Sequence, residues 1–243
     1  MNVAVVIPAR FASVRLPGKP LLKIGSKTLI EMVYERAKLA RLPRRVIVAT
    51  DDARIADAVR AFGGEVRMTR VDHPSGTDRI AEVAREHLKD ADAIVNVQGD
   101  EPDMDPSNID AVARLLEEDR EASMTTLACV ERSREAMLDP NKVKVVCDAK
   151  GRALYFSRAP IPFTRDEAER DWAFLLHLGI YGYRRDFLLE FPTLPQTPLE
   201  KKEKLEQLRA LEHGRIIRVG IAARRTFGID TPEDYERFKA LLA

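Results

Sequence analysis

Arg10, Arg15 and Lys19 all fall within residues 7–21, a segment that leaves a short apolar strand of Val, Ala and Ile. A guanidinium fork, a second arginine and a mobile ammonium placed there suit a flexible polyphosphate. The segment is not one of the common phosphate loops. Pro20 follows Gly18-Lys19 where a Walker A loop carries Ser or Thr, and no Gly-x-Gly-x-x-Gly is present. A solvated basic loop is the competing reading, and the Pro17-Gly18 turn chemistry disfavours it.

Two carboxylates complement these cations. Asp100 follows the buried run Val95-Asn96-Val97, and Asp230 ends Phe227-Gly228-Ile229-Asp230. Mg²⁺ takes one or two carboxylates together with phosphate oxygens and water, so one well-placed Asp with one helper is enough. Asp105 precedes Pro106 and reads most simply as a helix N-cap. Asp230 is either a cap or a metal ligand, and Thr231 before Pro232 already fills the cap position. The stretch His73-Pro74-Ser75-Gly76-Thr77-Asp78-Arg79 is either ordinary capping sequence or a nucleotide-recognition turn at a positive helix end.

The elements that must position these residues follow from periodicity. Strands are predicted at 2–7, 45–49, 65–68 and 93–97, and helices at 53–62 and 77–88, with a capping box at Thr28-Leu29-Ile30-Glu31. Alternation of this kind implies a mainly parallel sheet flanked by helices, with ligands at the carboxyl ends of its strands. After about residue 120 the pattern turns to strands at 124–130, 143–147, 154–156 and 174–183, which reads as an antiparallel lobe spanning about 120–225 within one domain, 1–243. A single charged helix is expected over 200–212, a buried strand over 216–221, and a closing helix from Thr231.

Composition narrows the function classes. With 40 basic and 39 acidic residues in 243, the formal net charge of +1 offers no global field for nucleic acid or an anionic membrane. No apolar run is long enough to span a bilayer, so a cytoplasmic location without membrane insertion is expected. Cys129 and Cys147 sit in apolar strands and read as reduced core residues, and the scattered histidines give no zinc spacing.

Ordered motifs along essentially the whole chain carry a specific resemblance: PARFASVRLPGKPL, VATDD, HPSGTDRIAE, VNVQGDEP, PNKVKVV, FSRAPIPF, HLGIYGYRRDFL, LEQLRALEHG and GIDTPEDYERF. The chain resembles the 3-deoxy-manno-octulosonate (Kdo) cytidylyltransferases. That resemblance implies an α/β, Rossmann-like sheet of the nucleotidyltransferase type. It also implies CTP and Kdo as substrates, CMP-Kdo and pyrophosphate as products, Mg²⁺ as cofactor, and a homodimer joined through the antiparallel lobe.

By position, the resemblance assigns Pro8, Ala9, Arg10, Ser13, Lys19, Ser75, Gly76 and Arg79 to the nucleotide, and Asp100 and Asp230 to Mg²⁺. It assigns Arg15, Gln98, Arg158, His177, Tyr183, Glu206 and Gln207 to the acid sugar. Arg10, Lys19, Asp100 and Asp230 are the expected catalytic set. Ala12 stands where the family commonly has Gly. From the residues alone, Tyr183 and His177 read equally well as core side chains sharing one strand face, Glu206 and Gln207 as a wet helix face, and Arg158 as a structural arginine. The alternatives are a cytidylyltransferase for another acidic sugar (8-amino-Kdo or sialic acid), a nucleotide-sugar glycosyltransferase, and a non-catalytic nucleotide-binding regulator.

Overall fold

The computed structural model describes residues 1–12, 16–166 and 172–241. In chain order, β1 (Val3–Ala9) leads through a loop to the short hairpin β2 (Lys23–Ile24) and β3 (Lys27–Thr28). There follow α1 (Leu29–Lys38), β4 (Pro43–Thr50), α2 (Ala53–Ala61), β5 (Glu65–Met68), α3 (Gly76–His87), β6 (Ala93–Asn96) and α4 (Pro106–Glu118). The second half contains β7 (Met124–Glu131), α5 (Arg134–Leu138), β8 (Lys144–Cys147), β9 (Ala153–Ser157) and β10 (Phe174–Arg184). It continues with α6 (Arg185–Glu190), α7 (Pro198–Glu203), α8 (Gln207–Glu212), β11 (Ile217–Ile221) and α9 (Pro232–Leu241).

One nine-stranded sheet carries both halves, in the order β11-β7-β10-β6-β1-β4-β5, with β8 and β9 branching from β10. β1 pairs in parallel with β4 and β6, and β11 in parallel with β7, while β10 runs antiparallel between β6 and β7. The antiparallel region is therefore not a detached insertion. Its strands β7 and β10 extend the central sheet, and the β8–β9 hairpin is the part that branches away.

Both sheet faces are covered, which is why its strands read as continuous apolar runs rather than as an alternation. On one side Val5, Ile7, Val48 and Val95 pack with Ile30 and Val33 of α1, Ile55 of α2 and Ile109 of α4; on the other Val6, Ile47 and Ile94 pack with Ile80 of α3, Leu188 of α6 and Leu208 of α8. Local chemistry fixes several starts. Thr28 and Glu31 form the expected capping box, and Asp105 caps α4 by accepting from Ser107 N at 2.9 Å. Thr231 Oγ1 accepts from Asp234 N at 3.2 Å and caps α9.

The single helix expected over 200–212 is instead two, α7 and α8, with Lys204 between them at φ +55°. The cause is tertiary. Arg209 Nη2 meets Glu200 Oε1 at 2.6 Å, and both side chains are almost fully buried. Nine residues of unbroken helix would separate their Cα atoms by about 13 Å. The ion pair therefore requires the chain to fold back, and the break makes Glu206 the N-cap residue of α8.

Candidate active site

The carboxyl ends of β1 and β6 and the amino end of α3 enclose a cavity of about 410 Å³. Pro8, Ala9, Arg10, Ala12, Lys19 and Pro20 form one wall, Pro74, Ser75 and Gly76 a second, and Gln98, Gly99 and Asp100 the floor. Two glycines make this geometry possible. A Cβ on Gly99 would lie 2.7 Å from the Pro8 carbonyl, so only glycine lets the β1 and β6 exits approach this closely. Gly18 adopts φ +68° and donates to the Phe11 carbonyl at 3.0 Å, closing the loop that delivers Lys19.

Lys19 is the hub of the cavity mouth. Its Nζ donates to Asp100 Oδ2 at 2.6 Å, to the Ile229 carbonyl at 2.9 Å and to Asp230 Oδ1 at 3.3 Å. An ammonium has three protons, and three oxygens take them. The expected carboxylates, far apart in the chain, thus converge on one cation position. The Lys19 side chain is 12% exposed, against 31% for Asp100 and 52% for Asp230. Two carboxylates and a carbonyl around one point form an oxygen donor set of the kind Mg²⁺ prefers, with room for phosphate and water to complete it. Among the described residues no cluster of three or more acidic, His or Cys side chains offers a closed metal cage.

The loop carrying Asp230 is fastened to the loop carrying Asp100. Ile229 N donates to the Asp100 carbonyl at 2.9 Å, Thr226 Oγ1 to Glu101 Oε2 at 2.8 Å, and Arg224 Nη1 to Asp103 Oδ2 at 2.6 Å. Burial pushes the Glu101 carboxyl up to about 7; Asp100, Asp230 and Asp103 add to the rise and Thr226 opposes it. No sequence signal singled out Glu101, because its burial and its bond to Thr226, 125 positions away, arise only from the tertiary fold.

Arg10 lines the cavity and donates to the His73 carbonyl at 2.7 Å, tying the basic loop to the turn before α3. Ser75 caps α3 by accepting from Asp78 N at 3.2 Å and donates to Asp78 Oδ2 at 2.5 Å. Gly76 then opens the helix against the cavity, where the positive helix end favours an anion. Arg79 lies differently from a pocket residue. It is fully buried, donating to Thr69 Oγ1 and, at 3.0 Å, to Asp51 Oδ2, so it braces the pocket from behind. Ser13 and Arg15 lie outside the described residues.

The described residues expected to meet the sugar stand after β6 (Gln98), after β9 (Arg158), on β10 (His177, Tyr183) and at the start of α8 (Glu206, Gln207). Gln98 Nε2 donates to the Gly179 carbonyl at 3.3 Å, which sets β10 beside the cavity floor. His177 contacts Phe156 and Tyr181, with ring centroids 4.9 and 5.4 Å away. The Thr126 hydroxyl has one proton, and the Ile180 carbonyl at 2.7 Å is its nearest acceptor. His177 Nε2, 3.0 Å from that hydroxyl, is therefore the donor of their bond. Gln207 is 3% exposed, and its Nε2 has no protein acceptor, so both of its amide N–H donors are left over. Arg158 donates to the carbonyls of Glu203 at 2.7 Å, Pro140 at 2.9 Å and Lys204 at 3.4 Å, bracing the break between α7 and α8.

Tyr183 and His177 share one face of β10, as their parity implies: they stand opposite Met124 and Ala128 of β7, with Tyr181 between them opposite Thr126. The β10–β7 register shifts between Leu178 and Tyr181, and Tyr183 ends 1% exposed in the core against Phe191. Tyr181 is the phenol left partly accessible on that stretch, and burial raises its pKa, with Glu206 and Glu101 contributing. The sequence reading missed it because it shares the face of His177 and Tyr183, and alternation does not say which ring on a face reaches the surface.

His177 also carries a pH prediction. Burial pushes its imidazole down from the usual 6.5 to about 3. The folded state therefore resists protonation, and the associated stability is present above pH 6.5 and lost as pH falls toward 3. Between pH 7 and pH 5 the loss is on the order of 2 kcal/mol. Urea unfolding at both pH values measures it, and His177→Gln should flatten the difference. An unchanged pH dependence in that variant would reject the assignment.

A family model described as "Cytidylyltransferase" matches residues 4–218. The chain is 54% identical to a 3-deoxy-manno-octulosonate cytidylyltransferase of Syntrophotalea carbinolica, covering all of this chain and 99% of that one. It is also 54% identical to one of Syntrophobacter fumaroxidans, covering 100% of this chain and 98% of the relative. A solved structure of CMP:2-keto-3-deoxy-manno-octonic acid synthetase complexed with CTP superposes with a TM-score of 0.94. It is 44% identical and covers 100% of this chain and 98% of the other.

Proposed function

The chain belongs to the 3-deoxy-manno-octulosonate cytidylyltransferases, and from that premise we propose how its cavity carries out the reaction CTP + 3-deoxy-D-manno-octulosonate → CMP-Kdo + pyrophosphate. The observation that carries the reading is the convergence of Asp100, Asp230 and Lys19 at the mouth of a cavity whose opposite wall is a capped helix N-terminus. CTP lies with its phosphates between Arg10, Lys19 and the first turn of α3. The acid sugar enters from the β10 side, near Gln98, His177, Glu206 and Gln207, where the unpartnered Gln207 amide offers a donor to a hydroxyl or carboxylate.

The sugar's anomeric hydroxyl attacks the α-phosphorus directly as the pyrophosphate oxygen departs. Neither cysteine lines the cavity: Cys129 is in the core, Cys147 packs against it, and burial raises both thiols. Rate enhancement then rests on alignment and on spreading developing charge over fixed cations. Arg10 holds phosphate oxygens by its fork, and Lys19 follows the charge onto the leaving group. Asp100 and Asp230 are the residues that would hold Mg²⁺. When bound, Mg²⁺ supplies positive charge to the phosphate oxygens and lowers the pKa of a coordinated hydroxyl.

A homodimer is part of the same reading, supported by the exposed apolar Leu154 and Phe163 on the antiparallel side, 63% and 78% accessible. Light scattering checks it, and the mass of one chain would reject it. No helix among the described residues is long and apolar enough to cross a membrane. The product's role is in lipopolysaccharide biosynthesis. Pyrophosphate release, measured with CTP, UTP, ATP and GTP each crossed with Kdo, its 8-amino analogue and sialic acid, tests the assignment. The expected result is release with CTP and Kdo above every other combination. A better substrate among the other sugars would reassign the acceptor, and release without CTP preference would reject the nucleotide.

A further inference from the structure

We propose that Thr77 is a positioning residue that sets Glu206 for the sugar and couples the sugar side of the site to the nucleotide side. The inference rests on the reading above that Glu206 meets the acid sugar. Thr77 is 4% exposed, so its hydroxyl has protein partners rather than bulk water. It donates to Glu206 Oε2 at 2.5 Å, across 129 residues of chain. The same hydroxyl interacts with the buried Tyr183 phenol, and the Ser75 hydroxyl also acts on Glu206.

The covalent setting makes this arrangement more than a stray contact. Thr77 sits in the first turn of α3, immediately after Ser75 and Gly76, which face the nucleotide cavity. Glu206 lines a second cavity of about 610 Å³ that shares Pro74 and Ser75 with the first. Glu206 is also the N-cap residue of α8, yet its side chain makes no cap bond to that helix. Its carboxylate is thus free of the local duty an acidic N-cap normally has, and Thr77 fixes one of its oxygens. Arg209 Nη2 lies 3.8 Å from the other oxygen. Of the two, the Thr77 contact is the short, directional one, so it ties the position of the Glu206 carboxylate to the start of α3.

A hydrogen bond to a charged group, once removed, changes affinity by about 10–100-fold when it orients a binding residue. Thr77→Val keeps the shape and removes the hydroxyl; Thr77→Ser keeps the hydroxyl. Steady-state pyrophosphate release should show the sugar KM raised about 10–100-fold in Thr77→Val, with the CTP KM within about twofold of wild type. Thr77→Ser should restore the sugar KM. An unchanged sugar KM in Thr77→Val, an equal rise in both KM values, or no rescue by Ser would each overturn the proposal. Glu206→Ala, measured alongside, separates the two levels: if it raises the sugar KM while Thr77→Val does not, the Thr77 role alone fails. If Glu206→Ala leaves the sugar KM unchanged, the sugar-side reading fails and Thr77's role falls with it.

Discussion

Asp100→Asn should lower turnover by about 10²–10³, the usual cost of removing one preorganised electrostatic partner, equivalent to about 2.7–4 kcal/mol of transition-state stabilisation. The substitution preserves size and removes the charge, so it isolates electrostatics from packing. Asp100 follows β6 with its neighbour Gly99 pressed against the Pro8 carbonyl, and its backbone carbonyl accepts from Ile229 N at 2.9 Å. Those backbone constraints survive in the variant. The carboxylate's ion pair with Lys19, and the divalent-cation contact proposed for it, do not. Pyrophosphate release at saturating CTP, Kdo and Mg²⁺ reads the effect, with a thermal melt to confirm folding. Near-normal turnover with the fold intact would remove Asp100 from the catalytic set.

Lys19→Met should have two effects of opposite sign. Turnover with CTP should fall by about 10²–10³, because the cation proposed to follow charge onto pyrophosphate is gone. Divalent-cation affinity of the nucleotide-free protein should rise by at least about tenfold, because the ammonium that bridges Asp100 and Asp230 no longer competes for them. The geometry forces this pairing of outcomes. All three Nζ protons of Lys19 go to Asp100, Asp230 and Ile229, so the side chain contacts phosphate only by releasing at least one of them. Calorimetric titration of Mg²⁺, or of Mn²⁺ followed by its paramagnetic resonance, into the free protein measures the second effect. Unchanged or weaker binding would show that Lys19 does not hold the carboxylates in solution. Retained turnover would show that it does not serve the phosphates.

Much of the site was legible because its parts are local. The basic loop after β1, the Asp after β6 and the capping sequences at Thr28, Asp105 and Thr231 depend on residues within a few positions of one another. The short turns and first helical turns that they occupy are governed by the same near neighbours. The failures are nonlocal in origin. The helix expected over 200–212 breaks because a buried Glu200–Arg209 pair outweighs the propensity of its charged, Leu-containing sequence. Arg79 sits in a motif whose Pro74, Ser75 and Gly76 line the cavity, yet helix rotation directs it inward onto Asp51 and Thr69. Tyr183 shares the face of His177 and Tyr181, but packing against Phe191 buries it and leaves Tyr181 partly accessible, which parity alone does not reveal.

By itself, then, the sequence determined which chemical groups this protein has and on which turns they stand: cations after the first strand, carboxylates after two later ones, and a helix start between them. Only the tertiary structure decided which of these groups meet. Lys19 reaches Asp100 and Asp230 across 81 and 211 residues of chain, and Thr77 reaches Glu206 across 129. Contacts at such separations are set by strand order and by burial of both sheet faces, which depend on the packing of the entire chain and leave no periodic trace in any one segment.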